Sequence, residues 1–233
     1  MEHTEYTIKT DKISRDYTFV MLSDVHNKKE DGKEALALTR FISPDAIFVL
    51  GDLVDRHRKK CDYALSFIRG CSEIAPTYFV YGNHEIKFPV IFENDILKAG
   101  ATVVLDNSFT FLDKSCEVVV GGQRPCGIKT WLRDFEELSG FKILLDHHPE
   151  HYKQYLKDEH PEIDLIISGH AHGGQIRILD HGILSPGQGL FPKYSKGLFD
   201  DKLIVGTGIA NTAGIIPRLG NPTEVVVIKL IKE

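Results

Sequence analysis

Residues 17–26 read YTFVMLSDVH and residues 46–55 read AIFVLGDLVD. Each opens on a short run rich in β-branched and aromatic residues and breaks off into an acid, Asp24 in the first and Asp52 in the second. Runs this short fall below helix length, and their composition suits a strand covered on both faces. The pattern recurs at 77–81 (TYFVY, then Gly82-Asn83-His84), at 141–145 (FKILL, then Asp146-His147-His148-Pro149) and at 163–167 (IDLII, then Ser168-Gly169-His170). Amphipathic segments at 31–42, 62–71, 89–99 and 149–158 read as the intervening helices. Ser43-Pro44 closes the first, and Pro89 and Pro149 open the last two, where a first-turn proline is tolerated. Alternating buried strands and helices predict an α/β protein. Farther along, 110–122, 175–184, 203–205 and 224–231 read as further strands and predict a second sheet packed on the first. Residues 190–199 (LFPKYSKGLF) read as a long ordered loop with aromatic anchors.

A chain of 233 residues is long enough for one sizeable core, and a single domain over 1–233 is expected. With 42% apolar and 26% charged residues the composition is globular and excludes disorder. A net charge of -5 and a pI of about 6.1 speak against a general nucleic-acid binder. The one dense basic run is RHRKK at 56–60. Cys61, Cys71, Cys116 and Cys126 form no Cys-x-x-Cys pair, which argues against a thiolate zinc site. All four are expected as reduced, buried or half-buried thiols. Glu2, Glu5, Lys9, Asp11, Lys12, Arg15 and Asp16 leave no apolar core for a signal peptide in the first twenty residues. No stretch approaches the roughly 20 apolar residues of a spanning helix, so a cytoplasmic location is expected.

Ligand sites in α/β sheets form beyond the carboxyl ends of strands, so five such loops would gather Asp, Asn and His side chains in one place. Carboxylates and neutral imidazoles suit divalent cations. Two cations close together need a shared anionic ligand, which an Asp at a loop apex supplies. Such a pair lowers the pKa of a shared water, so that hydroxide exists near neutral pH and can attack phosphorus in line. Taken singly, each residue has a plainer reading. Asp52 and Asp55 can cap a helix, Asn83 can serve a turn, and an isolated His-x-His can lie on a surface loop.

Together the motifs run Asp24-x-His26, Gly51-Asp52-x-x-Asp55, Gly82-Asn83-His84-Glu85, His147 and Gly169-His170-Ala171-His172. In this order the chain resembles the calcineurin-like metallophosphoesterase superfamily, from about residue 20 to 175. The resemblance implies a two-sheet β-sandwich flanked by helices, the four-layer αββα fold. It implies two divalent ions: manganese, iron or zinc, with magnesium also allowed. Asp24, His26 and His172 would hold one, Asn83, His147 and His170 the other, and Asp52 would bridge them. His84 would protonate the leaving group, with Asp55 hydrogen-bonded to it and favouring its protonated form. The family's His stands two positions before a proline, which selects His147 over His148, a choice periodicity alone leaves open. Gly51, Gly82, Gly169 and Gly173 would let the backbone turn sharply near the ions. Arg56 occupies a position where some relatives carry a phosphate-binding Arg, although His57 replaces the Gly that follows it there.

Gly173-Gly174-Gln175 and Gly189-Leu190-Phe191-Pro192 resemble a bacterial branch of small phosphodiesterases associated with membranes and lipid-like substrates. This implies a small-molecule or lipid-like phosphoester, with a phosphodiester preferred, and makes peripheral membrane contact an open expectation. Leu190, Phe191, Leu198 and Phe199 would then form an apolar lip beside the metals; the alternative is that they anchor the loop to the core. A phosphomonoesterase, a non-catalytic metal-binding scaffold and a nuclease are the rival readings. His3, His57, His151, His160 and His181 match nothing and read as surface histidines. Asp146 either tunes a nearby imidazole or faces solvent.

Overall fold

A strand that is apolar on both faces must be covered on both sides, and the 17–22 run, apolar at every position but Thr18, meets this condition. Tyr17, Phe19 and Met21 enter one buried cluster, while Val20 and Leu22 enter another on the opposite face. The computed structural model describes residues 1–55, 61–87, 89, 93–106, 108–127, 129–210 and 218–233. Arg56 and His57 therefore lie outside the described residues.

The strands are β1 (Glu2–Thr10), β2 (Tyr17–Leu22), β3 (Ala46–Val49), β4 (Thr77–Phe79), β5 (Thr102–Val103), β6 (Phe109–Phe111), β7 (Val118–Gln123), β8 (Phe141–Asp146), β9 (Leu165–Ser168), β10 (Arg177–Ile178), β11 (His181–Gly182), β12 (Leu184–Ser185), β13 (Gly189–Leu190), β14 (Gly197–Phe199), β15 (Leu203–Val205) and β16 (Glu224–Lys232). Among the described residues they form two six-stranded sheets, ordered β1-β16-β2-β3-β4-β5 and β14-β15-β9-β8-β7-β6, and two small hairpins, β10-β11 and β12-β13. β2, β3, β4 and β5 run parallel in the first sheet, as do β15, β9, β8 and β7 in the second.

The helices are α1 (Lys29–Ile42), α2 (Asp62–Ser72), α3 (Asn83–Lys87), α4 (Glu93–Lys98), α5 (Trp131–Glu136) and α6 (Lys157–Glu159), the last continuing a π-helical turn at Tyr152–Leu156. Three clusters fix the layers. Phe19, Phe48, Tyr78, Val120, Ile143, Ile167 and Val226 fill the space between the sheets. Val20, Ile47, Phe79, Ala35, Phe67 and Ile96 bind α1, α2 and α4 to the outer face of the first sheet. Trp131, Phe135, Leu144, Ile166 and Leu156 do the same for the second sheet. The result is the expected α/β sandwich, helix–sheet–sheet–helix. No helix among the described residues is long and apolar enough to cross a membrane.

Several elements depart from their sequence-based bounds. The 110–122 stretch is an antiparallel pair, β6 and β7, rather than one strand. The 175–184 stretch breaks into short hairpin strands, with left-handed backbone at Gln175 and Leu179. The 190–199 loop ends in β14, which extends the second sheet. The helix expected over 89–99 spans only Glu93–Lys98 in the described residues. The 224–231 strand, expected in the second sheet, lies instead in the first, parallel to β1 and antiparallel to β2.

Candidate metal centre

The loops leaving β2 and β3 run side by side. Asp24 N donates to Gly51 O at 3.1 Å, His26 N to Asp52 O at 3.0 Å and Asn27 N to Leu53 O at 2.8 Å. A third loop, after β4, is tied to them by Glu85, which is 2% exposed. Its Oε2 accepts from Asp52 N (2.8 Å) and Gly82 N (2.9 Å), and its Oε1 from Leu53 N (2.8 Å) and Val54 N (3.3 Å). The approach leaves no room for side chains: a Cβ on Gly51 would lie 2.0 Å from Gly82 N, and one on Gly82 would lie 2.2 Å from Asp52 Oδ1. The loop after β9 joins through His170 N, which donates to Asp24 Oδ2 at 3.1 Å.

Five of the candidate ligands occupy the left-handed region: Asp24 (φ 57°), His26 (47°), Asp52 (52°), His170 (63°) and His172 (47°). For a residue with a Cβ this conformation costs roughly 1–2 kcal/mol, and such strain concentrates at functional sites. It turns their side chains toward one another. Asp52 Oδ2 lies 3.4 Å from His147 Nε2 and 3.9 Å from both His26 Nε2 and His84 Nε2. Asp24 Oδ1 lies 3.5 Å from His172 Nε2 and 3.8 Å from His26 Nε2. Ligand atoms of Asp24, His26 and His172 fall within 4.8 Å of one another, as do those of Asp24, Asp52 and His147 and those of His147, His148 and His170. Asn83 borders the last set, its Oδ1 3.5 Å from His148 Nε2.

These residues fit divalent ions. Asp24 Oδ1, His26 Nε2 and His147 Nε2 are buried without a hydrogen-bond partner. Each such atom costs about 1–3 kcal/mol when left unsatisfied, and all three are donors of the type borderline cations take. Electrostatics agree. Burial raises the Asp52 carboxyl, but the facing His147, with His26 and His84, outweighs this and holds it well below its ordinary value. Burial depresses His147 in turn, yet Asp52 and Asp24 prevail and push it up to about 10. Two buried carboxylates thus demand a positive charge between them. Burial lowers His172 to about 4 and His170 well below its usual value, leaving both as the neutral imidazoles that coordination requires.

The centre opens into a cleft of about 510 Å³ walled by Ile86, Lys87, Pro125, Cys126, His148 and Pro186, with His84 at its edge. His84 Nδ1 faces Val54 O at 3.0 Å, which turns Nε2 toward Asp52 and the centre. Its backbone N–H donates to Asp52 Oδ1 at 2.8 Å. Asp55, half-buried, follows Val54 in the same loop.

Of the sequence-based candidates, Asp24, His26, Asp52, Asn83, His84, His147, His170 and His172 are brought together, Asp55 directly follows Val54, whose carbonyl faces His84, and Arg56 is outside the described residues. Other expectations are corrected. His151 and His160 are buried rather than at the surface, because each has found a carboxylate: His151 Nδ1 lies 2.8 Å from Asp146 Oδ2, and His160 Nδ1 2.9 Å from Glu136 Oε2. Of the two readings of Asp146, the structure agrees with the one that sets it beside an imidazole, since it is buried against His151. Cys116 and Cys126 are exposed rather than covered. The apolar lip is divided: Leu190 and Phe191 are exposed, while Leu198 packs on the inter-sheet core and Phe199 on the outer cluster.

Two contributors had no assigned role in the sequence reading. Glu85 stands in the quoted motif, and its spacing after Asn83-His84 is the available signal. Arg218 gave none: its guanidinium donates to Thr207 O, Ala210 O and Asn221 O. Asn221 in turn donates through Nδ2 to His172 O (2.7 Å) and Gln175 O (3.1 Å), fixing the His172 loop.

A family model for calcineurin-like phosphoesterases matches residues 17–174, more than half of the chain. Among curated proteins the chain is 25% identical over 245 residues to an uncharacterized metallophosphoesterase of Aquifex aeolicus, covering 97% of the chain and 90% of that protein. It is 26% identical to the uncharacterized metallophosphoesterase YkuE of Bacillus subtilis (99% and 85% covered). It is 28% identical to an uncharacterized metallophosphoesterase of Campylobacter jejuni, 96% of this chain spanning 61% of that one. Among solved structures, TT1561 of Thermus thermophilus superposes with a TM-score of 0.56 at 16% identity (84% and 91% covered). A dimetal phosphatase from Danio rerio gives 0.53 at 11% identity (83% and 88%). At these identities the two structures speak for the fold alone.

Proposed function

Because the chain belongs to the calcineurin-like phosphoesterase family, we propose that it is a metal-dependent phosphodiesterase in which Asp24, His26 and His172 hold one divalent ion, Asn83, His147 and His170 hold another, Asp52 is shared, and His84 is the general acid. The observation that carries this reading is the set of buried atoms without a hydrogen-bond partner, Asp24 Oδ1, His26 Nε2 and His147 Nε2, gathered with the Asp52 carboxylate. When bound, two such ions would supply the positive charge that lowers the pKa of water and offsets charge on phosphoryl oxygens. Manganese, iron and zinc all suit this donor set.

The chain's own residues do the rest. Asp24 and Asp52 bring the negative charge that draws cations into a buried place. Val54 O accepts from His84 Nδ1, so Nε2 carries a proton toward a leaving oxygen when the ring is an imidazolium, a form that burial disfavours and the facing Asp52 favours. Asp55 is proposed to position His84, and Arg56 to contact the phosphate. Diester over monoester is supported by charge: Lys87 is the only lysine or arginine lining the cleft among the described residues, and Ile86, Pro125 and Pro186 give it apolar walls. A singly charged ester with organic groups on both sides suits such a cleft better than a dianion.

The test is hydrolysis of bis-p-nitrophenyl phosphate and p-nitrophenyl phosphate, side by side, by metal-stripped protein refilled with manganese. Metal-dependent release from the diester is expected. Release from the monoester alone would make the protein a phosphomonoesterase, and inertness with both ions bound would make it a binding scaffold. His84→Ala should keep its ions and lose about 10²–10⁴-fold in turnover of an alkyl diester, with a far smaller loss on p-nitrophenyl leaving groups, which need little protonation. Equal losses on both would refute the acid role.

A further inference from the structure

His148 is not among the ligands proposed above, yet it stands at the rim of the centre. Its Nε2 lies 3.5 Å from Asn83 Oδ1. Its ring centroid is 4.2 Å from that of His170 and 5.3 Å from that of His147. One nitrogen from each of His147, His148 and His170 can be chosen so that all three lie within 4.8 Å of one another. Three imidazoles thus gather here, with the Asn83 amide oxygen beside the His148 ring.

A built support stands behind His148. Asp146, fully buried, accepts from the His148 backbone N–H at 3.1 Å and faces His151 Nδ1 with both oxygens, at 2.8 and 3.1 Å. The His151 ring meets the His148 ring edge-on at 5.2 Å, and Tyr155 packs behind His151 at 5.3 Å. A buried carboxylate and a second imidazole are costly to place in a protein interior unless paired. Here they are paired, and their shared effect is to fix the backbone and ring of His148. Outer groups typically orient a ligating imidazole through its other ring N–H; here the support reaches His148 through its backbone N–H and the edge of its ring.

We propose that His148 is a further protein donor to the ion bordered by Asn83, His147 and His170, and that the Asp146–His151 pair holds it in place. The inference rests on the dinuclear reading above. It assigns this chain three imidazoles at that ion, one more than the resemblance implied, and makes Asp146 and His151 positioning residues.

The test is titration of metal-stripped protein with Co²⁺, read by calorimetry and by the visible absorption of the bound ion, with bis-p-nitrophenyl phosphate hydrolysis followed in parallel. Wild type should take two ions. His148→Ala should bind one of them at least tenfold more weakly, with an altered visible spectrum, and millimolar imidazole should restore both. Asp146→Asn should weaken the same ion by about tenfold while keeping the spectrum, because the donor set is unchanged. His148→Gln, closer in size, guards against a folding defect, and thermal melts by circular dichroism report folding for every variant. Wild-type affinity and spectrum in both His148 variants would overturn the inference while leaving the phosphodiesterase reading intact. Fewer than two ions in wild type would overturn the dinuclear reading and this inference with it.

Discussion

Glu85→Gln exchanges one carboxylate oxygen for an amide nitrogen in a side chain that is 2% exposed. The carboxylate accepts four backbone N–H groups, two on each oxygen. The amide retains one acceptor oxygen and turns its NH₂ toward the other two donors. Two buried N–H groups then lose their partner, at about 1–3 kcal/mol each, or about 4 kcal/mol together. Part is recovered: burial first and Asp52 second push the Glu85 carboxyl upward, and relief of that repulsion contributes on the order of 1 kcal/mol. The net expectation is a loss of about 3 kcal/mol. For a chain of this size that is a fall of about 6–12 °C in Tm. Urea denaturation followed by circular dichroism, in chelator at pH 7, measures it, with an unchanged m-value showing that only stability has moved. A loss below about 1 kcal/mol would refute the reasoning, because the loops after β3 and β4 would then be held by something other than this carboxylate.

Gly82→Ala places a Cβ 2.2 Å from Asp52 Oδ1, so the Asp52 carboxylate must move; metal analysis and kcat should both fall, kcat by more than tenfold. Refilling stripped protein with manganese at about 100 times Kd should add about 2.7 kcal/mol for each ion, read as a rise in Tm by scanning calorimetry; an unchanged Tm would refute binding at the buried donors. Burial pushes the Cys71 thiol far above its ordinary range, so a thiol reagent at pH 8 should label Cys116 and Cys126 quickly and Cys71 only on unfolding. Cys126 lines the cleft, so its labelling should raise KM in wild type and leave Cys126→Ser unaffected.

The candidate site was legible in sequence because its residues sit where apolar runs end. A strand that stops at Leu22 and leads into Asp24, or stops at Val49 and leads into Asp52, announces both the sheet and the position of the side chain relative to it. β1 gave no such signal. It is an edge strand whose residues are mostly exposed or half-buried until Ile8, so its polar composition hid it. The place of β16 between β1 and β2 was equally hidden, since pairing across more than 200 residues leaves no local mark. Of the misjudged histidines, His160 shares this cause, whereas His151 pairs with Asp146 only five residues back. Nothing near His160 in the chain foretells Glu136 as its partner, and a histidine without a visible partner reads as solvent-facing. Local chemistry was readable, whereas pairings made only by the folded chain were not.

The left-handed backbone at Asp24, His26, Asp52, His170 and His172 sets two kinds of selection against each other. If each position stores about 1 kcal/mol, together they hold on the order of 5 kcal/mol, comparable to the whole margin by which many domains stay folded. A population screened for heat tolerance alone would find gains at these same five codons, where glycine relaxes the backbone and removes a crowded polar side chain at once. Such a screen would return hardier proteins with no catalytic centre. Any programme to make this chain more robust therefore has to score turnover in every round, or it will breed the chemistry out first.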